Sequence, residues 1–233
     1  MKVLMIIPAY NEEESILRTV QGIIDYRKNI DFQLDYLVIN DGSTDSTKQI
    51  LIQNKLNAVH LVQNLGIGGA VQTGYKYALD NDYDVAVQFD GDGQHDIQSL
   101  NSLIQPILVG QADMVIGSRF VLEKRPVSLR MMGNILISAA IRLTTGKTIN
   151  DPTSGMRMFS EKLIKEFALN INYGPEPDTV SYLIRQGVKV AEAQVYMQDR
   201  QAGESYLTLS RSVQYMMHMF ASILIIQNFR KRG

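Results

Sequence analysis

The chain has 233 residues, a formal net charge of −1 and no cysteine. The length suits one domain, and the near-neutral charge carries no electrostatic footprint for nucleic acid. The lack of thiols excludes a disulfide framework, thiolate metal sites and a cysteine nucleophile, and it fits a reducing compartment. The opening MKVLMIIPAYNEEE predicts a first β-strand rather than a signal peptide: its apolar run is short, and Pro8 and three glutamates follow. No segment reaches the ~18 uninterrupted apolar residues of a spanning helix.

In chain order, residues 3–7 predict a short buried strand. Asn11-Glu12-Glu13-Glu14 then predicts the opening of a helix with acids in its first turn, where the dipole favours them. Residues 36–39 predict a second strand, stopped by NDGSTD, with Ser43 or Asp45 as cap of the next helix. Residues 59–62 predict a third, followed by NLGIGGAVQTGYKYAL, a glycine turn that becomes a helix. Residues 85–89 and 114–116 predict a fourth and a fifth, the last ending at GSR. This rhythm predicts an α/β fold with a mostly parallel sheet and helices on both faces. Ligands of such sheets sit beyond the carboxyl ends of the strands, and the polar turns named here lie at that edge.

The second half is less regular. Residues 128–143 predict a helix with an apolar face of Leu129, Met131, Met132, Ile135 and Leu136. DPTSGMRMF predicts a turn entering a short strand, GPEPD opens a helix through residues 179–185, and residues 188–195 are strand-like. With no repeat or linker, residues 1–211 form one domain. Residues 212–233 predict an amphipathic C-terminal helix whose apolar core, MMHMFASILII, is too short to span a bilayer. Its methionines and its end at Arg230, Lys231 and Arg232 fit a membrane interface with anionic headgroups. A core or oligomer contact is the alternative.

The stretch FDGDGQH (89–95) ends the fourth strand with concentrated oxygen chemistry. Asp90 and Asp92, two residues apart on extended backbone, project to one side, and Gln94 adds a neutral oxygen at the same spacing. Such a set suits Mg²⁺ or Mn²⁺, and a common partner of such an ion is a diphosphate. The alternative is a solvated Asp-Gly turn. The GIGG run (66–69) follows the third strand and reads GIGGAV, so it lacks the last glycine of a dinucleotide fingerprint.

Taken together, IPAYNEE (7–13), NDGSTD (40–45), NLGIGGAVQTG (64–74), DGDGQH (90–95), GSR (117–119), DPTSGMR (151–157) and RQAGES (200–205) resemble the family 2 glycosyltransferases of the GT-A fold. The branch is that of the dolichol-phosphate mannosyltransferases and polyprenyl-phosphate glycosyltransferases, and the motifs span residues 3–206. The resemblance implies that Pro8, Ala9, Tyr10 and Glu12 hold the nucleotide base and ribose, with Asp41 on the base and Gly68 and Gly91 beside the nucleotide. Asn40 stands where many relatives have a further aspartate. Asp90, Asp92 and Gln94 match the metal motif, with His95 close by. His60 and His218 read as packing or surface residues. Asp90, Asp92, Arg119 and Arg200 are implied as catalytic, and Arg119, Arg130, Arg157, Arg200 and Ser205 as contacts to phosphate, for which the planar guanidinium is suited. Tyr206 replaces the lysine that often follows RxxGxS, and Arg211 is the candidate substitute. Glu176 and Asp178 match the region where relatives with hydroxyl acceptors place a general base.

A hydroxyl acceptor needs a base, whereas a phosphate monoester is already anionic and needs positive charge and alignment. Scattered arginines and a basic-ended apolar tail suit a lipid phosphate, and the resemblance implies undecaprenyl (polyprenyl) phosphate as acceptor at the cytoplasmic face of a membrane. The predicted reaction is an inverting transfer from a nucleotide sugar, UDP-linked by preference, for cell-envelope polysaccharide. The alternative is transfer to a glycan hydroxyl with Glu176 or Asp178 as base. The tail, a small membrane protein or a homo-oligomer are the expected anchors and partners.

Overall fold

The computed structural model of the chain describes residues 1–91, 96–126, 128–170, 174–196 and 209–226. Five βα steps come first: β1 (Lys2–Ala9) with α1 (Ile16–Tyr26), β2 (Gln33–Asn40) with α2 (Thr47–Gln53), β3 (Ala58–His60) with α3 (Gly66–Asp80), β4 (Val85–Gln88) with α4 (Leu100–Leu108), and β5 (Met114–Ser118) with α5 (Leu129–Thr145). β6 (Arg157–Ser160), α6 (Glu161–Leu169), α7 (Pro177–Arg185), β7 (Val190–Gln194) and α8 (Leu209–Ala221) follow, with a π-helical turn over Ser222–Ile226. Among the described residues no helix is long and apolar enough to cross a membrane.

The strands form one sheet in the order β3-β2-β1-β4-β6-β5-β7. All pairings are parallel except those of β6, which runs antiparallel between β4 and β5. The cause is where β6 starts. The DPTSG turn lies at the carboxyl edge of the sheet, so the strand leaving it must run back, and Gln88 at the end of β4 pairs with Arg157 at the start of β6.

Both faces of β1 are buried, as a covered parallel strand requires. Val3, Met5 and Ile7 join one apolar cluster with Ile16, Val20 and Leu103 from α1 and α4. Leu4 and Ile6 join the other, with Val71, Ile137, Leu163 and Val180 from α3, α5, α6 and α7. Gly74 lets α3 lie directly on β1: a Cβ there would come within 2.3 Å of Ile6 Cγ2.

Three local expectations change. The helix after β1 begins at Ile16, not at Asn11. Asn11 holds a left-handed φ of 57°, and the acids serve side-chain ties instead. Ser46 N–H donates to Glu13 Oε2 at 2.8 Å, so that acid sits at the start of α2. Asp45, one of the two expected caps, accepts from Thr47 N–H at 2.9 Å, while Ser43 accepts from Asn11 N–H. β3 stops at His60, and Val62, expected inside it, is fully exposed. α6 was not anticipated.

The expected C-terminal helix is present from Leu209. Its inner face is part of the core: Met219 and Ile223 are buried in the cluster that holds α5 and α7. Gly133 of α5 admits it, since a Cβ there would lie 2.9 Å from Met216 Sδ.

Candidate functional site

The strand order reverses between β1 and β4, with β2 and β3 on one side and the remaining strands on the other. Crevices at such a point, beyond the carboxyl ends, are where open α/β sheets bind ligands. Pro8, Ala9 and Tyr10 leave β1 there, and Asp90 and Gly91 leave β4. The two ends nearly touch, because a Cβ on Gly91 would lie 3.1 Å from the Pro8 carbonyl oxygen. The Gly91 carbonyl is fixed from the other side by Ser15 Oγ at 2.9 Å and Thr19 Oγ1 at 3.1 Å. Ser15 Oγ also lies 2.7 Å from Glu12 Oε2. Glu12 and the Gly91 carbonyl thus share the single Ser15 hydroxyl hydrogen as alternative acceptors.

The IPAYNEE and NDGSTD turns are laced together. Glu12 N–H donates to Thr47 Oγ1 at 2.9 Å, Thr44 N–H to Asn11 Oδ1 at 2.8 Å, and Glu13 N–H to Asp45 Oδ2 at 3.2 Å. Asp41 is buried; its N–H donates to Ala9 O at 2.9 Å, and its Oδ1 accepts from Leu65 N–H at 2.7 Å. The acid thus ties β1, β2 and the glycine turn before α3 together. Asn40, at the departure from the commoner aspartate, accepts from Ser43 N–H through Oδ1 and turns Nδ2 to His60 Nδ1 at 3.1 Å. Since the amide nitrogen only donates, His60 Nδ1 is the acceptor and the imidazole is neutral. Gly68, in the first turn of α3, faces Gly174 across 3.9 Å from an ideal Cβ, so no side chain closes that approach.

Asp90 lies against the DPTSG turn. A Cβ on Gly155 would fall 2.3 Å from Asp90 Oδ2 and 3.2 Å from Oδ1, so glycine is what makes room for this carboxylate. Asp92, Gln94 and His95 lie outside the described residues, as do Arg200 and Ser205. The side chain of Arg130, in the first turn of α5, lies outside them too.

The same turn holds Arg119. Asp151 is fully buried and accepts from Arg119 Nε at 2.7 Å, Arg119 Nη2 at 2.9 Å and Arg119 N at 3.2 Å. The Arg119 side chain remains 26% exposed, and its hydrogen bond to Asp151 holds the guanidinium above its ordinary pKa against the opposing cost of burial. The Nε–Nη2 edge is used by Asp151, which leaves the outer end of the fork for a second planar contact.

Arg157 is a correction. It is 1% exposed, and its guanidinium is spent on carbonyls: Nη2 to Pro152 O at 2.8 Å, Nε to Ser154 O at 3.0 Å and Nη1 to Glu176 O at 3.4 Å. Burial pushes its pKa down, with Tyr215 and Glu176 opposing. Rather than meeting an acceptor phosphate, Arg157 braces the turn that carries Gly155 and Asp151. Its position on an inward face of a central strand is a tertiary fact that no local pattern showed.

Glu176 and Asp178 are both engaged by the C-terminal helix and its π turn. Tyr215 donates its phenol hydrogen to Glu176 Oε2, and Ser222 Oγ donates to Asp178 Oδ2 at 2.7 Å. Burial and then the Glu176 charge push the Tyr215 phenol above its ordinary pKa, which keeps it a donor. Asp151, Asn134, Ser15 and Tyr215 are the residues that sequence reasoning missed. Only Asp151 had a signal, as the first letter of DPTSG.

A mostly parallel sheet with polar turns at its switch point, an acid packed against a glycine and an arginine held by a buried carboxylate form the candidate site. Residues 5–167 match the family described as Glycosyl transferase family 2. The chain belongs to that family and is a glycosyltransferase of GT-A fold. It is 34% identical to the UDP-N-acetylglucosamine–dolichyl-phosphate N-acetylglucosaminyltransferase of Methanococcus voltae over 69% of this chain and 70% of the relative. It is 30% identical to the undecaprenyl-phosphate mannosyltransferase of Micrococcus luteus over 89% of this chain and 88% of that one. Among solved structures, the glucosyl-3-phosphoglycerate synthase of Mycobacterium tuberculosis in complex with Mn²⁺ and UDP-glucose superimposes with a TM-score of 0.72 at 19% identity, over 100% of this chain and 81% of that one. At that identity the likeness is one of fold.

Proposed function

We propose that this glycosyltransferase moves a hexose or N-acetylhexosamine from a nucleoside diphosphate sugar, UDP-linked by preference, to polyprenyl phosphate at a membrane surface. The relatives above, whose acceptors are dolichyl and undecaprenyl phosphate, support it. The observation that carries the choice of acceptor is the occupation of both candidate bases. Glu176 takes the Tyr215 phenol and Asp178 takes the Ser222 hydroxyl, so one oxygen of each candidate base is already committed to a donor within the fold. A phosphate oxygen needs no base. It attacks the anomeric carbon, the bond from that carbon to the diphosphate oxygen breaks, and the electron pair leaves with the nucleoside diphosphate. One displacement inverts the configuration, and no proton moves.

In this scheme Pro8, Ala9, Tyr10, Glu12 and Asp41 hold the nucleoside, with Gly68 and Gly91 leaving room for backbone approach. Asp90, with Asp92 and Gln94, would hold a Mg²⁺ or Mn²⁺ ion, which would neutralise charge on the diphosphate. Arg119 offers the outer end of its fork to phosphate, with Arg130, Arg200 and Ser205 as further candidates.

The membrane-facing surface is the outer side of α5, extended by α8. Met132, Ile135, Leu136 and Leu143 are 45–79% exposed, recur at helical spacing and run beside the exposed Arg142; α5 contains no acidic residue. On α8, Met217 is exposed, and Ile225 is exposed in the π turn after it. The interface role expected of residues 212–233 is proposed for the described part of that face; Arg230, Lys231 and Arg232 lie outside the described residues. An apolar stripe with a cation and no acid suits an anionic bilayer.

The test is turnover with a panel of UDP- and GDP-sugars, undecaprenyl phosphate in detergent and Mg²⁺ or Mn²⁺, with Asp92→Asn in parallel. Metal-dependent transfer to the lipid phosphate, lost in the variant, is expected. Transfer to a sugar hydroxyl instead, abolished by Glu176→Gln or Asp178→Asn, would replace this reading with the hydroxyl one.

A further inference from the structure

We propose that Glu192, a residue of β7 outside every motif of the site, is a positioning residue for Arg119 and acts through Asp151. The inference rests on the reading above only in taking Arg119 as the phosphate contact.

Arg119 follows the last residue of β5, and β7 is the strand paired with β5, with Ile116 opposite Glu192 and Ser118 opposite Gln194. Glu192 and Gln194 project to the same side of β7, and each holds one of the two loops that meet at Arg119. Glu192 Oε1 accepts from Asp151 N–H at 2.8 Å, while its Oε2 accepts from Asn150 N–H at 2.7 Å and Asn150 Nδ2 at 2.9 Å. Gln194 Nε2 donates to Arg119 O at 3.1 Å, and its Oε1 accepts from Leu122 N–H at 2.8 Å.

All three contacts of Glu192 are donors pointing at it, and only a carboxylate can accept from all of them at once. They set the backbone of residues 150–151. The orientation of the buried Asp151 carboxylate follows from that backbone and from Asn134 Nδ2, which donates to Oδ1 at 3.1 Å. Asp151 in turn fixes the Arg119 fork at two points. Glutamine at 192 keeps the volume but must present an NH₂ group to one of these donors. The turn then shifts, the carboxylate of Asp151 rotates, and the guanidinium loses its fixed plane.

The role is tested by a double-mutant cycle on transfer to polyprenyl phosphate, with Glu192→Gln, Arg119→Ala and the pair, alongside thermal unfolding of each. Glu192→Gln is expected to lower kcat/KM by about tenfold to a hundredfold, the scale of a small misplacement. In the Arg119→Ala background it is expected to cost less than about threefold, because coupled residues are non-additive. Losses that simply multiply would overturn the proposal and leave Glu192 a general structural residue. A second readout needs no turnover: hydrogen exchange at the Arg119 Nε–H, followed by ¹⁵N NMR. It is expected to be slow in the native chain and at least tenfold faster in Glu192→Gln; an unchanged rate also overturns the proposal. Should Glu192→Gln not fold, Asn134→Ala, which removes the other support of Asp151, is expected to accelerate the same exchange. If the native chain fails to glycosylate polyprenyl phosphate, the proposed acceptor is wrong, and the NMR arm still decides the relay.

Discussion

Gly155 and Asp90 are far apart in sequence yet share one space: a Cβ on the glycine would occupy a point 2.3 Å from the carboxylate oxygen. Gly155 follows a turn braced by Arg157, and Asp90 lies just beyond the end of β4, with its carboxylate against the glycine. Gly155 has no left-handed φ, and alanine there is acceptable to the backbone itself. Gly155→Ala is therefore expected to leave the fold intact and to displace Asp90. Transfer should fall by about 10²-fold, as for an ångström-scale misplacement, and Mn²⁺ affinity measured with UDP present should weaken in parallel. Native-like metal affinity and activity in this variant would remove Asp90 from the metal set.

Tyr215 is the donor that engages Glu176 from α8. Removing it leaves a part-buried carboxylate without that donor, so Tyr215→Phe is expected to cost about 1–3 kcal/mol of stability in denaturant unfolding. With a phosphate acceptor no base is needed, and kcat should stay within a few-fold of the native value where the protein is folded. A kcat that rises on freeing Glu176, with a sugar hydroxyl as acceptor, would mark Glu176 as the base.

The exposed stripe of α5 is tested by charge. Ile135→Asp combined with Leu136→Asp places two acids on the face assigned to an anionic bilayer, at about 1 kcal/mol each near such a surface. Sedimentation with phosphatidylglycerol vesicles at low salt is expected to fall by roughly tenfold or more, with UDP affinity unchanged. Equal binding by native chain and variant would move the contact elsewhere on the surface.

His60 gives a pH signature. Burial, and then the charge of Lys48, hold its pKa below the ordinary 6.5. Below pH 6.5 the unfolded chain takes up a proton that the folded chain resists, so this contribution to stability is lost as pH falls from 6.5 through the folded pKa. Protonation also turns Nδ1 from acceptor to donor against the Asn40 amide. Urea midpoints should decline over that window, and His60→Gln should remove this component of the slope. An NMR titration midpoint at or above 6.5 would contradict the assignment.

Much of this protein was legible in its sequence because the signals were local. Short apolar runs ending in NDGSTD, NLGIGG and FDGDGQH determined the βα rhythm, the mostly parallel sheet and the edge on which the site lies, since strand ends and glycine turns depend on nearby residues. The motifs together determined the family. What only the tertiary structure decided concerns side chains that meet from distant positions. The reversal of β6 follows from where its preceding turn sits, which no periodicity records. Arg157 and Arg119 are the same residue type in equally suggestive motifs, yet one is buried among carbonyls and the other is held with its fork part-exposed. The difference lies in which way each strand faces once the sheet is assembled. Glu176 and Asp178 carried the signature of helix-opening acids, and α8 with the π turn after it, arriving about forty residues later, gave them their partners. A carboxylate's role depends on what donates to it, and donors across the fold are chosen by packing, not by spacing along the chain.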